Sequence, residues 1–192
     1  MPFQKIGLLG GTFDPPHYGH LLIANEVLEQ CDLDEIWFVP ASIPPHKQNE
    51  KISASKHRLA MLKMAIKNHP RFRLCAIEIE REGPSYTYET LERLVHQYEE
   101  TQFFFIIGAD MVQDLPNWKN IDHLLKLTTF IGVNRKGHPM ESPYKEQIQF
   151  VEVPLFEVSS TFLRKRFREK DTTCYYLPKN VRHYIEENKL YE

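Results

Sequence analysis

Two histidines three residues apart, His17 and His20, close a stretch that reads GGTFDPPHYGH (10–20). Gly10 and Gly11 directly follow the apolar run KIGLL (5–9), so the stretch leaves the carboxyl end of a strand. Glycines there are expected to let the backbone turn sharply and approach a ligand where a side chain would intervene. Pro15 and Pro16 then forbid helix until His17 to His20, which puts both imidazoles in a helical first turn. Residues three apart share a face, and the free N–H groups and positive dipole end of the helix are expected to point the same way. Such a constellation suits phosphate, with neutral or charged imidazoles donating to phosphoryl oxygens without acting as nucleophiles. The plain structural reading is a strand–turn–helix connection with two partly exposed histidines. Zinc has weak support, because no third Cys, His or carboxylate stands in register. The dinucleotide fingerprint GxGxxG and the GxxxxGK[ST] loop are both absent.

The elements that must carry this stretch are legible as short apolar runs. KIGLL (5–9), EIWFVP (35–40), FRLCAIEI (72–79), FFFII (103–107), TFIGV (129–133) and IQFVEV (148–153) read as strands. Segments of helical period lie between them: Leu21, Leu22, Ala24, Val27 and Leu28; Leu59, Leu62, Ala65 and Ile66; Tyr88, Leu91, Leu94, Val95 and Tyr98; Ile121, Leu124 and Leu125. Continuous apolar strands alternating with helices predict an α/β fold. The expectation is one doubly wound, mostly parallel sheet with helices on both faces, its ligands bound outside the carboxyl ends of the strands.

The tail has a different texture. VSSTFLRKRFREK (158–170) begins with hydroxyls suited to capping a helix, and LPKNVRHYIEEN begins another with Pro178 near its first turn. Both are expected to pack beside the sheet, within a single domain spanning 1–192. The loop ASIPPHKQNEKISASK (41–56), rich in proline and polar residues, is the expected mobile segment.

Composition sets the outer bounds. A chain of 192 residues can bury a substantial core without a staple, and a net charge of −2 gives no global reason to bind DNA, RNA or an acidic membrane. Cys31, Cys75 and Cys174 form no CxxC pair and no secretory leader precedes them, which suits a reducing cytoplasm. Apolar runs such as 103–107 are far shorter than the ~20 residues of a membrane helix.

With these residues assembled, the chain resembles the HxGH nucleotidylyltransferase superfamily, with its Rossmann-like fold. GGTFDPPHYGH matches the form GxFxPxHxGH, and SSTFLR (159–164) matches a second motif, SSTxxR, about 140 residues later. Within the superfamily it is most similar to the bacterial nicotinate mononucleotide adenylyltransferase family, nearly end to end. The resemblance is carried by IGLLGGTFDPPHYGHLLIANEV, WFVPASIPPHK, GPSYTYETL, FIIGADMVQDLPNWKN, FIGVNRKG and VSSTFLRKR. Two details depart from it: Ala109 stands in GAD where a second glycine is expected, and Asp114 precedes LPNW where an aromatic is expected.

The resemblance implies adenylyl transfer from ATP to nicotinate mononucleotide, giving nicotinate adenine dinucleotide and pyrophosphate, in NAD biosynthesis. It implies that His17, His20 and Arg164 act on the phosphates. Gly10, Gly11, Thr12, Phe13, His46, Lys47, Gly108, Asp110, Ser160 and Thr161 complete the implied ATP site. Ser85, Tyr86, Thr87, Tyr88 and Trp118 would surround the nicotinate ring, an aromatic platform for a flat anion. Each has a duller reading: Asp110 as a helix cap, Trp118 and the tyrosines as packing, and LRKRFREK as a solvated basic face. Mg²⁺ is expected with ATP, held by phosphates and water rather than by a protein site. Expected partners are these two small molecules, with no nucleic acid or membrane; a homodimer is neither required nor opposed by the sequence. Nicotinamide mononucleotide and pantetheine phosphate remain alternative acceptors, and a catalytically silent nucleotide sensor is the alternative of a different class. KISASK (51–56) superficially resembles a synthetase lysine motif and is read as loop and helix start.

Overall fold

The computed structural model describes residues 3–42, 52–81, 85–135, 142–154 and 156–192. Six strands form one sheet: β1 (Gln4–Gly11), β2 (Glu35–Pro40), β3 (Phe72–Leu74), β4 (Thr101–Gly108), β5 (Thr129–Arg135) and β6 (Ile148–Val153). Their order is β3-β2-β1-β4-β5-β6 and every pairing is parallel. The helices are α1 (Tyr18–Gln30), α2 (Ser55–Ile66), α3 (Thr87–Gln97), α4 (Ala109–Asp114), α5 (Ile121–Leu127), α6 (Ser160–Arg168) and α7 (Lys179–Glu187).

Alternate residues of each strand feed two separate cores. Leu9, Phe38, Ile106 and Ile131 pack under Ala24, Val27 and Leu28 of α1 and Leu62 of α2. Ile6, Leu8, Phe105 and Phe130 pack under Leu91 and Leu94 of α3, Val112 of α4 and Leu124 of α5. Helices therefore cover both faces, and both faces of the strands must be apolar, which is why the runs lack an alternating polar pattern. Against the first core the contact is close. A Cβ added at Gly7 would stand 2.6 Å from Ile36 Cδ1 and 2.9 Å from Leu33 Cδ1.

The chain winds outward from β1 through β2 to β3, then returns to place β4 on the other side of β1. That reversal opens a crevice at the carboxyl ends of β1 and β4. The tail helices build a third cluster on α2, with Leu163, Leu177, Val181 and Ile185 around Met61. Ser159 caps α6, its Oγ accepting from the Phe162 N–H at 3.1 Å.

Two expectations are corrected and one is sharpened. The strand read over 72–79 ends at Leu74: after one further bond, Cys75 N–H to Phe38 O, the next position on that edge of β2 is Pro40, which has no N–H to give, and the chain turns away. The sheet is wholly rather than mostly parallel. Gly10 and Gly11 are the last residues of β1, paired beside Val39 and Pro40, and do not make the turn. The turn falls at Phe13, a non-glycine with φ of 51°.

Candidate active site

Phe13 explains the glycine before it. Its ring folds back under the strand end, so a Cβ at Gly11 would meet that ring at 3.0–3.2 Å. Gly10 is exposed, and a Cβ there would touch only Phe105 Cζ, at 3.4 Å. The buried Phe13 ring also supports His20 edge-on, with centroids 4.9 Å apart, and leans on Phe38 at 5.8 Å.

His17 is the N-cap of α1 and His20 its third residue. Their imidazoles stack, with centroids 3.7 Å apart and planes at 27°. The His17 N–H donates to His20 Nδ1 at 3.2 Å, which fixes the proton of a neutral His20 on Nε2. Burial pushes the His17 pKa down to about 4, and burial followed by the neighbouring His17 ring pushes His20 well below the usual histidine range. Both rings are neutral at pH 7, as two stacked imidazoles in a dry niche must be. His17 Nδ1 is buried without a hydrogen-bond partner among the described residues and lies against the first turn of α1, where a Cβ added at Gly19 would stand 3.0 Å from it.

The helix amides contribute less than the sequence suggests. The Tyr18 N–H already donates to Tyr176 O at 2.9 Å, and the His20 N–H to His17 O at 3.0 Å. The turn between the two tail helices takes the first of these donors and the N-cap carbonyl the second, so neither is left for a ligand.

The second motif meets the first directly. Ser160 Oγ donates to Pro15 O at 2.8 Å and Arg164 Nη1 to Asp14 O at 2.9 Å. Arg164 Nη2 also donates to Thr161 Oγ1 at 3.2 Å, at the exposed start of α6. Ser160 has one O–H, and Pro15 holds it. Its position is that of a brace for the histidine loop rather than of a hydroxyl open to phosphate.

On the far side of the crevice, Gly108 closes β4 with open space around it, and Asp110 stands exposed in the first turn of α4. Trp118 is half-buried, its indole set edge-on to Phe105 and Phe130 at 6.0 Å each. Phe105 thus links the indole to the open end of β1 at Gly10. The Lys119 ammonium lies 4.3 Å from the centre of the Tyr86 ring and 5.5 Å from that of Tyr88. Tyr86, Thr87 and Tyr88, at the start of α3, are half-buried. Ser85 is buried, and its Oγ accepts from the Ser42 N–H at 2.9 Å. His46 and Lys47, with most of the loop 41–56, lie outside the described residues.

Sequence reasoning missed three residues that hold this arrangement. Asp14 and Arg58 are each 1% exposed. Arg58 donates to the carbonyls of Thr12 (3.0 Å), Ala41 (2.7 Å), Ser42 (3.4 Å) and Ser53 (3.1 Å), and to Ser55 Oγ (3.3 Å). It joins the loops that follow β1 and β2. Asp14 accepts from the Ser53 N–H at 2.9 Å and from the Tyr191 hydroxyl at 2.5 Å. In the sequence, Arg58 is one cation on an amphipathic helix and Tyr191 one aromatic in a polar tail; only Asp14 stands inside a motif.

The donors gathered here are imidazole, guanidinium and hydroxyl, a set that fits an anion. Among the described residues no three His, Cys, Asp or Glu side chains group to hold a metal, and no helix is long and apolar enough to cross a membrane.

Comparison with known proteins finds relatives over nearly the whole chain. Residues 8–166 match the family model described as cytidylyltransferase-like. The chain is 57% identical over 189 residues to the nicotinate-nucleotide adenylyltransferase of Bacillus subtilis, covering 98% of this chain and 99% of that one. It is 56% identical over 187 residues to the probable nicotinate-nucleotide adenylyltransferase of Geobacillus kaustophilus, covering 97% and 86%. Among solved structures, the Plasmodium falciparum nicotinic acid mononucleotide adenylyltransferase complexed with NaAD superposes with a TM-score of 0.82 at 21% identity, over 98% of this chain and 97% of that one. That last likeness is one of fold.

Proposed function

The chain belongs to the cytidylyltransferase-like family and, within it, to the nicotinate-nucleotide adenylyltransferases, and from that premise we propose how its residues perform the reaction. The enzyme transfers the adenylyl group of ATP to nicotinate mononucleotide, a step of NAD biosynthesis. An oxygen of the mononucleotide phosphate forms a bond to the α-phosphorus of ATP. The bond from that phosphorus to the oxygen bridging to the β-phosphate breaks, and pyrophosphate leaves with the electron pair. The attacking phosphate is already ionised near neutral pH, so no base is needed; the protein must align two anions and offset charge.

The stacked, neutral His17–His20 pair is the observation that carries this reading. A neutral imidazole offers one N–H, and for His20 the bond at Nδ1 leaves Nε2–H as the donor. Phosphate charge arriving at such a dry site raises both pKa values, so the rings gain positive character when charge develops opposite them. His20 serves the α-phosphate, and His17 and Arg164 the rest of the triphosphate. Gly10, Gly11, Thr12, Phe13, Gly108, Asp110 and Thr161 line the ATP side, with His46 and Lys47 from the loop. Mg²⁺ comes with ATP on its phosphates, in keeping with the anion-fitting donor set. On the acceptor side, Trp118 with Tyr86, Thr87 and Tyr88 offers the aromatic surface for the ring. The Lys119 charge favours a ring carboxylate over a neutral carboxamide. The location is cytoplasmic, and a homodimer is open to sedimentation analysis.

The test is pyrophosphate release with ATP and Mg²⁺, offering nicotinate mononucleotide, nicotinamide mononucleotide and pantetheine phosphate in parallel. Preference for the first is expected, with a raised KM for it in Trp118→Ala. Equal turnover of the amide would remove the selective role of the pocket.

A further inference from the structure

The loop that delivers His17 is tied from outside at three carbonyls: Thr12 O by Arg58, Asp14 O by Arg164 and Pro15 O by Ser160. At Asp14 the side chain too is hydrogen-bonded from outside the loop. Its buried carboxylate accepts from two remote donors, the Ser53 N–H and the Tyr191 hydroxyl. At 2.5 Å the tyrosine bond is at the short end for a hydroxyl on a carboxylate, the stronger class of hydrogen bond.

Tyr191 is itself held for this contact. Its backbone lies in the left-handed region, with φ of 72°, uncommon for an aromatic residue. Its ring packs on Phe167 with centroids 5.9 Å apart, and its oxygen lies 3.9 Å from Met61 Sδ. Burial first, and then the Asp14 carboxylate, push its hydroxyl pKa far up, so it remains a donor at every physiological pH.

Between Asp14 and His17 stand only Pro15 and Pro16, whose rings fix φ. A displacement of Asp14 is therefore passed on to the imidazoles rather than absorbed on the way. Misplacing a group by about 1 Å can cost roughly a hundredfold in rate. We propose that Tyr191 is a positioning residue for adenylyl transfer, acting through Asp14 to hold the His17–His20 pair where charge develops on the phosphates. The proposal rests on the adenylyltransferase reading.

The experiment is steady-state kinetics at 25 °C of the wild type, Tyr191→Phe, Asp14→Asn and the double variant, with folding checked by circular dichroism. Tyr191→Phe keeps the ring on Phe167 and removes only the donor. The expected result is a kcat about 5- to 20-fold lower, with KM for ATP and nicotinate mononucleotide within about twofold, an effect smaller than full misplacement. Asp14→Asn keeps an acceptor oxygen for Tyr191 and retains part of the activity. In the double variant the loss matches the larger single loss instead of multiplying, the signature of one coupled pair. A folded Tyr191→Phe with wild-type kcat and a lowered Tm alone makes the hydroxyl merely structural and overturns the proposal, as do losses that multiply in the double variant. A wild type that releases no pyrophosphate with ATP and nicotinate mononucleotide overturns the reading and the proposal together.

Discussion

Ser160 Oγ donates to the carbonyl of Pro15 at 2.8 Å, joining the two motifs across 145 residues of sequence. Because this bond spends the hydroxyl's one proton, Ser160→Ala is expected to lower stability by about 1 kcal/mol, the net worth of one hydrogen bond. KM for ATP should change by less than about threefold, since the hydroxyl has no donor left for phosphate. Thermal unfolding and initial rates measure the two effects. A tenfold rise in that KM would show that the hydroxyl swings to the nucleotide.

Removing the His20 imidazole takes away a donor aimed at developing charge. His20→Ala is expected to lower kcat by roughly 10²- to 10³-fold while the dissociation constant for ATP moves little. Rapid-quench kinetics alongside calorimetric titration separates the two quantities. Unchanged kcat would remove His20 from the chemistry.

Acid should destabilise the fold through the same pair. His17 has a native pKa of about 4 against 6.5 unfolded, so below pH 6.5 the unfolded chain takes up a proton that the native state refuses. Stability is full above pH 6.5 and falls as the pH drops towards 4, by roughly 3 kcal/mol for His17 alone. Urea unfolding from pH 7.5 to 4.5 measures the slope, which should flatten in His17→Gln.

Arg58 is expected to be the costliest single surface-charge-type residue to lose, because it is not on the surface. Arg58→Met leaves four backbone carbonyls and the Ser55 hydroxyl without their donor. The expected loss is about 3 kcal/mol or more, or roughly 6–12 °C in Tm. Lysine, with a single ammonium in place of a planar fork, should not restore it. A Tm within 2 °C of the wild type, on the order of 1 kcal/mol or less, would contradict this account.

Chelation offers a separate check on the metal. EDTA in excess should abolish turnover, Mg²⁺ should restore it, and the Tm without ATP should not move, because the donor set offers no resident cation site among the described residues. A fall in Tm on chelation would point to a bound structural ion.

The sequence revealed the strands well: EIWFVP and IQFVEV coincide with β2 and β6 residue for residue, even though β6 is an edge strand with Gln149, Phe150 and Glu152 exposed. It overran at β3, since an apolar run does not say where the neighbouring strand stops offering partners. It passed over α4, whose six residues are too few for a helical period. In the candidate site, the histidines, Ser160 and Arg164 stood out through their motifs, and the structure brings the two motifs together. Their supports were not: Arg58 and Tyr191 act through contacts with residues 46 and 177 positions away, which local patterning cannot register. The overestimate of free amides at α1 has the same origin, since the acceptor for the Tyr18 N–H belongs to Tyr176.

The order in which a ribosome makes this chain runs opposite to the order in which the site becomes usable. The histidine loop emerges before β2 to β6, whereas Ser160 and Arg164, which fasten Pro15 and Asp14, are translated after the last strand of the sheet. A nascent chain carrying the complete sheet would hold its histidines on a loop tied by Arg58 and Ser53 but not yet by Ser160, Arg164 or Tyr191. Messages cut short after β6 should therefore yield protein with the sheet's strands and no adenylyl transfer, so that incomplete synthesis produces silence rather than a poorly controlled enzyme.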